Sequence, residues 1–247
     1  MSRTATIDKL KHLRLPGMIR ALTQAAEGHL TDQLDREEFL AWLVETECQD
    51  RETRRLQRLI KRAGLRYPAT VEEVDWTIKR SLDRKTVMRF SDCDWIENHR
   101  NCIIIGPTGV GKSYLACALG HHACRHGYST LYFSTNKLLT QLREGQADNS
   151  TRLKLRKIHK QRLLILDDFG LQKLDVQART WLLEIVEERY NQGATIVTTQ
   201  LPIGKWHEVI GDDTIADAIC DRLVHNAEKI NIEGDSVRKI YAQRRLS

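Results

Sequence analysis

The stretch Gly106-Pro107-Thr108-Gly109-Val110-Gly111-Lys112-Ser113 decides the fold of this chain. It has the pattern G-x-x-x-x-G-K-[ST], with a short apolar run at 102–105 before it and a helical pattern at about 112–126 after it. A glycine-rich loop between a buried strand and a helix N-terminus presents backbone N–H groups and a positive dipole end to an anion. The flanking patterns therefore favour a phosphate-binding site over a chance glycine-rich turn.

The residue types within this loop indicate a nucleoside triphosphate bound with magnesium, and we predict ATP and Mg²⁺. The glycines let backbone amides approach the phosphates, the Lys112 ammonium reaches the β- and γ-phosphates, and the Ser113 hydroxyl ligates the metal. The predicted ATP-binding residues are Gly106, Pro107, Thr108, Gly109, Val110, Gly111, Lys112, Ser113 and Tyr114.

Two adjacent acids supply the second half of such a site. The apolar run 163–166 ends in Asp167 and Asp168, and a P-loop enzyme holds its metal with a carboxylate at the end of a neighbouring strand. Asp167 is predicted to bind Mg²⁺ directly or through water, and Asp168 to orient or deprotonate the attacking water. Two acids after a strand also occur as a helix N-cap or a turn, and their pairing with the phosphate loop favours the catalytic interpretation.

Two further residues are candidates for catalytic roles. Gln200 follows the β-branched run 195–199, and strand carboxyl ends face the ligand crevice in open α/β sheets, so its side chain is predicted to sense the γ-phosphate. A merely solvated glutamine at a strand end is the alternative. Arg222 follows Asp221 and is a candidate arginine finger, although an arginine beside acids more often forms a salt bridge with a nearby Asp.

The pattern along the chain predicts an α/β fold with a central parallel sheet, preceded by a small helical domain. Apolar residues recur at three- and four-residue spacings from about 7 to 64, with no strand-like alternation. Beyond residue 100, strand-like runs alternate with helical patterns, as in a parallel sheet with helices on both faces. The predicted divisions are a helical N-terminal domain at 1–66, a mixed linker with one or two short helices at 67–100, and an ATPase domain at 101–247.

The composition predicts a soluble, cytoplasmic protein and permits a polyanionic partner without requiring one. Lys and Arg number 39 against 33 Asp and Glu, which gives a formal net charge of +6. The six cysteines are scattered without a C-x-x-C pair, so neither a zinc ribbon nor a disulfide framework is indicated. The N-terminus lacks the apolar stretch of a signal peptide, and no run approaches the roughly 20 apolar residues of a membrane helix.

Basic side chains form two groups that suit a nucleic-acid backbone. One lies at three- and four-residue spacings on a predicted N-terminal helix, and the other lies between the second predicted strand and the aspartate strand. Rows of Lys and Arg neutralise phosphates without reading sequence, whereas a solvated helix face paired with Asp or Glu is the alternative for each group. The predicted DNA-binding residues are Arg51, Arg54, Arg55, Arg58, Arg62, Arg152, Lys154, Arg156 and Lys157.

Six stretches spread over nearly the whole chain form a recognisable set. They are Leu13-Arg14-Leu15-Pro16-Gly17-Met18, the phosphate loop, Leu166-Asp167-Asp168-Phe169-Gly170, Trp206-His207-Glu208-Val209-Ile210-Gly211, Ala216-Asp217-Ala218-Ile219-Cys220-Asp221-Arg222-Leu223-Val224-His225-Asn226-Ala227, and Gly234-Asp235-Ser236-Val237-Arg238-Lys239. This set resembles the IstB family of insertion-sequence ATP-binding proteins, relatives of the DnaC and DnaI helicase loaders within the AAA+ ATPases. Many ATPases share the phosphate loop, whereas the segment 206–239 singles out this family.

The resemblance implies an AAA+ fold, assembly on duplex DNA promoted by ATP, and delivery of target DNA to a partner transposase whose activity is stimulated. By similarity, Arg222 occupies the position of an arginine finger that acts across a subunit boundary, and Arg238 occupies the position called sensor two. Asp168 agrees with this branch, where AAA+ proteins at large carry glutamate. The short tail after Lys239 implies a reduced or absent helical lid.

Three functions remain open from the sequence: a transposition helper that forms homo-oligomers on DNA, a replicative helicase loader of the DnaC or DnaI type, and a metabolic P-loop kinase. The kinase interpretation leaves the two basic groups unexplained. The loader shares the ATPase core, but the N-terminal domain contains no metal-ligand cluster of the kind some loaders carry. The run 206–226 favours the transposition branch.

Overall fold

A computed structural model describes residues 2–27 and 34–244 of the chain. The chain divides into two compact units, Met1–Arg58 and Leu59–Ser247. The division falls inside a long helix, a few residues before the boundary at 66 that the sequence pattern indicates.

The first unit is helical over its described residues, as predicted. Its helices are α1 (Arg3–His12), α2 (Pro16–Glu27) and the larger part of α3 (Arg36–Ala63).

The side chain of Glu47, which is buried, caps the first turn of α2. Pro16 starts the helix at the position where a missing N–H costs nothing. The Gly17 and Met18 amides both donate to one carboxylate oxygen of Glu47, at 2.8 and 3.3 Å. A Cβ on Gly17 would lie 2.6 Å from the Glu47 Cα, so α2 and α3 approach too closely there for any other residue.

The second unit is built on one parallel sheet, which confirms the predicted fold class. Its strands run in the order β2-β3-β4-β1-β5. They are β1 (Asn101–Ile105), β2 (Thr130–Ser134), β3 (Leu163–Phe169), β4 (Ala194–Thr199) and β5 (Ala227–Asn231). The sequence pattern did not predict β5, because this edge strand has a single fully buried residue, Ile230, among polar neighbours.

Helices cover both faces of the sheet. They are α4 (Arg84–Met88), α5 (Asp94–Glu97), α6 (Lys112–Arg125), α7 (Thr135–Ala147), α8 (Thr151–His159), α9 (Val176–Arg189), α10 (Trp206–Ile210), α11 (Asp213–Val224) and α12 (Val237–Arg244), with a 3₁₀ turn at Ile203–Lys205. Alternate residues of β1 point to opposite faces, so Ile103 joins one buried cluster while Cys102 and Ile104 join the other.

The segment 67–100 is a packed part of the ATPase unit, which differs from the linker that the sequence pattern indicates. Val87, Phe90, Trp95 and Ile96 are buried in the same cluster as Cys102 of β1. The two short helices of this segment carry too few turns to produce a periodic apolar pattern, so the sequence gives little sign of this packing.

The carboxyl ends of three neighbouring parallel strands lie side by side at one edge of the sheet. Because β3, β4 and β1 are adjacent and point the same way, the residues that follow them meet at one edge of the sheet. That edge therefore collects the phosphate loop, the acid pair and Gln200.

No helix within the described residues is long and apolar enough to cross a membrane.

Trp206 is expected to be a major stabilising residue. Its side chain is fully buried, and its ring centroid lies 4.6 Å from that of Phe169. Trp206→Ala should lower the free energy of unfolding by about 3 to 5 kcal/mol, because apolar burial is removed and a cavity is left behind. Denaturant unfolding measures the change. The matched control is Leu153→Ala, whose side chain is 70% exposed and should change stability by less than about 0.5 kcal/mol; equal effects in the two variants would contradict the assignment.

Candidate nucleotide-binding site

The phosphate loop packs closely against the ends of the neighbouring strands. Gly106 N–H donates to the Thr199 carbonyl at 3.2 Å, which joins the start of the loop to the end of β4. A Cβ on Gly106 would lie 2.2 Å from the Ile232 carbonyl oxygen, so no side chain fits there. Gly109 and Gly111 have φ values of 89° and 99°, which only glycine adopts readily, and α6 begins immediately afterwards at Lys112.

Lys112 is held in place at the N-terminus of α6. Its side chain is buried, and Nζ donates to the Pro107 carbonyl at 2.9 Å. Burial lowers the pKa of Lys112, whereas the carboxylates of Asp168 and Asp167 favour its charged form. The ammonium is thus preorganised over the loop, where a bound phosphate can replace the carbonyl as its partner.

Asp167 is fully buried at the end of β3 with both carboxylate oxygens occupied. Oδ1 accepts from the Thr198 hydroxyl and Oδ2 accepts from the Tyr132 hydroxyl, each at 2.5 Å. Burial, together with the contact with Asp167, raises the pKa of Tyr132 strongly, so the phenol remains a donor. Side chains from β2 and β4 therefore hold this carboxylate rigidly between them.

Asp168 turns away from the strand and lines the cavity. Its φ is 56°, in the left-handed region, and its N–H donates to the Thr198 hydroxyl at 2.9 Å. Burial and the neighbouring Asp167 charge raise the pKa of Asp168, while Arg66 and Lys112 oppose that rise. Two adjacent acids thus have different environments, one sealed in the sheet and one facing the ligand space.

Arg66 is a member of the site that sequence reasoning missed. Its Nη1 lies 3.6 Å from Asp167 Oδ2 and 3.4 Å from Asp168 Oδ2. A hydrogen bond with Tyr132 is the main cause that raises the pKa of Arg66. The only sequence signal was an arginine in a predicted helix stop, and nothing there points to acids a hundred residues away.

The loop, the acids and Arg66 border a cavity of about 570 Å³. Sites for small ligands and cofactors span roughly 300 to 1,000 Å³, so a nucleotide fits this space. The residues predicted from sequence that line it are Thr108, Gly109, Gly111, Lys112, Ser113, Tyr114, Asp168, Gln200 and Arg238. The lining residues that the sequence did not indicate come from the segment 66–80, from Leu171, and from Val237 and Tyr241.

Gln200 lines the cavity beside the loop. Its Oε1 accepts from the Thr108 hydroxyl at 2.7 Å. The neighbouring threonines are committed elsewhere: Thr198 binds Asp167, and the Thr199 hydroxyl donates to the Phe169 carbonyl. Of the three polar residues at this strand end, Gln200 is the one whose side chain faces the ligand space.

Two segments outside the sheet fix the outer side of the loop. Arg80 Nη1 donates to the Val110 carbonyl at 2.9 Å, and burial lowers the pKa of Arg80. Val237 N–H, at the start of α12, donates to the Gly109 carbonyl at 2.9 Å. The second contact brings Arg238 to the cavity, close enough to act electrostatically on Lys112.

Arg222 lies on α11 and does not line this cavity. Its Nη2 is 3.1 Å from Glu187 of α9, and its Nη1 donates to the Ala218 carbonyl at 3.0 Å. A salt bridge was the alternative left open by the sequence, and the partner is a glutamate on another helix.

The two basic groups differ in how far they are neutralised. Arg51 and Arg54 form ion pairs within α3, to Glu47 at 2.7 Å and to Asp50 at 2.6 Å. Lys154 folds back onto the Gln141 carbonyl at 2.8 Å. The others form no ion pair within the described part of the chain, namely Arg55, Arg58, Arg62, Arg152, Arg156 and Lys157.

This sheet order, with a phosphate loop after β1 and an acid pair in the last residues of β3, is the fold of P-loop ATPases of the AAA+ class. Solved structures share the fold. The DnaC helicase loader superposes with a TM-score of 0.53 over 60% of this chain and 87% of its own, at 23% identity. DnaA from Aquifex aeolicus bound to AMPPCP superposes with a TM-score of 0.58 over 74% of this chain and 56% of its own, at 18% identity.

Sequence comparison narrows the class to one family. The pattern of the family described as "IstB-like ATP binding protein" matches residues 8–245, and the chain belongs to that family. A Sinorhizobium fredii protein is 46% identical over 242 residues, covering 98% of both chains. A Pseudomonas aeruginosa protein is 32% identical over 232 residues, covering 94% of this chain and 86% of its own. Both are named as ATP-binding proteins of insertion sequences, and membership of the IstB-like family makes this chain an ATP-binding P-loop ATPase.

Arg66 is expected to set the pH range of ATP hydrolysis. A carboxylate accepts a proton only above its pKa, so turnover should fall as the pH drops through the raised pKa of Asp168. Arg66→Ala removes a charge that opposes this rise, and should shift the acid limb of the rate profile to higher pH. Steady-state turnover measured against pH tests this, with Arg66→Lys as the control that keeps the charge. A uniform loss of activity at all pH values would mean that Arg66 acts only on folding or binding.

Proposed function

We propose that this ATPase binds duplex DNA without sequence preference, assembles there as a homo-oligomer when ATP is bound, and directs or activates a partner transposase. The association of its relatives with insertion sequences supports the transposition context. The observation that carries the DNA-binding part is the unneutralised basic surface of α8, within the ATPase unit itself.

The α8 surface is arranged for a polyanion. Leu155 and Ile158 face the core, which turns Arg152, Arg156 and Lys157 to solvent without a carboxylate partner among the described residues. When unpaired Lys and Arg side chains neutralise DNA phosphates, the counterions condensed on the DNA are released. This release supplies most of the affinity in non-specific DNA binding. On α3, Arg55, Arg58 and Arg62 remain candidates for DNA binding for the same reason. Arg51 and Arg54 are weaker candidates, because intrahelical ion pairs already neutralise them.

We propose the following roles in ATP hydrolysis for residues that line the cavity. Lys112 binds the β- and γ-phosphates, Gln200 contacts the γ-phosphate, and Asp168 takes a proton from the attacking water. Arg66 keeps Asp168 ionised until the proton moves. Arg238 of the same chain contributes a second positive charge from the start of α12.

The residues present also fit a magnesium ion. The Ser113 hydroxyl lines the cavity, and a hard oxygen ligand of this kind suits Mg²⁺. Both oxygens of Asp167 already accept hydrogen bonds, so this residue would hold the ion through water. Bound Mg²⁺ would neutralise charge on the β- and γ-phosphates.

We propose that Arg222 completes the site of a neighbouring subunit. Glu187 and Arg222 are both partly exposed, and such ion pairs contribute little to stability, about 0 to 1 kcal/mol. Arg222 could therefore leave Glu187 for a phosphate of the adjacent subunit's ATP at a small cost in free energy. This arrangement would make hydrolysis depend on assembly.

A helicase loader is the second candidate, because DnaC and DnaI share the fold. That likeness is below 25% identity and supports the architecture alone. The relatives at 32% and 46% identity are named for insertion sequences, which favours the transposition role.

DNA affinity should fall steeply with salt and vary little with sequence. The triple variant Arg152→Ala/Arg156→Ala/Lys157→Ala should reduce the slope of log K against log salt by roughly 0.9 for each phosphate that the variant no longer neutralises. Fluorescence anisotropy on duplexes of different sequence measures both properties. Arg143→Ala is the control, since Arg143 is already neutralised by Asp175. A tight, salt-insensitive preference for one sequence would contradict the proposal.

Arg222→Ala should retain ATP binding and lose DNA-stimulated hydrolysis. The inactive Arg222→Ala and Lys112→Ala chains should partly restore turnover when mixed, because one supplies the intact loop and the other the intact finger. The control Glu187→Gln removes the ion pair but keeps Arg222, and should remain active. Sedimentation with ATP and duplex DNA tests assembly in parallel; mixed chains that assemble but stay inactive would count against a finger acting in trans.

A further inference from the structure

A cysteine and two histidines come together on the side of the ATPase unit where α6 ends. Cys93 immediately precedes α5, His122 lies in the last turn of α6, and His126 caps that helix. The Cys93 Sγ and one ring nitrogen of each histidine lie within 4.8 Å of one another. None of the three lines the nucleotide cavity.

The hydrogen bonding of His122 leaves one nitrogen ready to bind a ligand. Its Nε2 lies 2.8 Å from the Ser91 carbonyl, which can only accept, so Nε2 carries the proton. The Nδ1 atom is buried and has no hydrogen-bond partner among the described residues. Histidines that bind metals have this arrangement, with the second ring nitrogen fixed by a carbonyl or carboxylate.

The two histidines are positioned as a pair. They are four residues apart on consecutive turns, and their ring centroids are 4.6 Å apart. Residues at this spacing share a helix face, and a His pair on one face is a common metal-binding arrangement. Two imidazoles this close repel each other when both are protonated, whereas a shared cation would satisfy both lone pairs.

The electrostatic setting favours a cation. The carboxylates of Asp92, Asp94 and Glu97 act on Cys93. The same acids, and the carbonyl end of the α6 dipole, attract positive charge to this point.

We propose that Cys93, His122 and His126 bind a zinc ion, with the fourth position open to water. Nitrogen and sulfur ligands select Zn²⁺ over the Mg²⁺ of the nucleotide cavity. The Cys93 thiol gives up its proton to solvent as the sulfur–zinc bond forms, and no electron is transferred. Tetrahedral zinc keeps its ligand atoms about 3.5 Å apart, so small side-chain rotations close the cluster.

The proposed ion would tie the segment before α5 to the helix that carries the phosphate loop at its other end. Its role would be structural, because the cluster lies apart from the reacting atoms. The spacing of these residues along the chain matches no familiar zinc pattern, so sequence patterns alone do not indicate the site.

Metal titration of the full-length protein tests the proposal. The protein is stripped with a chelator and kept in excess Mg²⁺. Calorimetry should then detect one Zn²⁺ per chain, and Co²⁺ should produce a thiolate-to-cobalt charge-transfer band. Cys93→Ser should remove that band, and His126→Gln should weaken Zn²⁺ binding by at least about tenfold. His126 is exposed, so this second variant remains informative if Cys93→Ser folds poorly.

Matched controls separate the cluster from other donors. His121→Gln changes the adjacent histidine of α6, and Cys48→Ser removes an exposed thiol elsewhere in the chain. Both should retain the band and the Zn²⁺ affinity, and circular dichroism and ATP binding verify folding of every variant. Unchanged Zn²⁺ affinity in folded His126→Gln, or a band that disappears in Cys48→Ser but persists in Cys93→Ser, would overturn the proposal.

Discussion

The buried carboxylate of Asp167 is the constraint around which the nucleotide site is arranged. An ionised group inside a sheet is costly unless hydrogen bonds satisfy it. Thr198 on β4 and Tyr132 on β2 each donate to one of its oxygens, and Arg66 adds a positive charge. Satisfying one acid therefore joins three adjacent strands and the segment after α3 at the edge of the sheet where the ligand binds.

The same contacts determine what Asp168 can do. The Thr198 hydroxyl donates a hydrogen bond to Asp167 and accepts one from the Asp168 amide. The second bond fixes the left-handed backbone of Asp168, which directs its carboxylate into the cavity. The positive charges of Arg66 and Lys112 both limit the rise in the pKa of that carboxylate. One acid is thus sealed and structural in its hydrogen bonding, while the other is open to a ligand, as the proposed hydrolysis requires.

The cavity also depends on chain segments outside the sheet. Arg80 and Val237 donate to the carbonyls of two consecutive loop residues, Val110 and Gly109, and they come from positions far before and far after the loop. The site assembled in this way draws its nearby positive charges from Lys112, Arg66, Arg80 and Arg238. Arg222 lies outside this cavity and pairs with Glu187 of α9.

The sequence by itself determined the phosphate loop, the acid pair and the parallel α/β fold. Those features are local: a loop pattern between a strand and a helix, and apolar runs whose period reveals their structure. Only the tertiary structure decided that part of 67–80 lines the site while Val87, Phe90, Trp95 and Ile96 join the core, that β5 completes the sheet, and that Arg66 reaches Asp168. These depend on side chains brought together from distant positions, and the Cys93, His122 and His126 cluster arises in the same way. No local pattern encodes such contacts, because packing rather than spacing creates them.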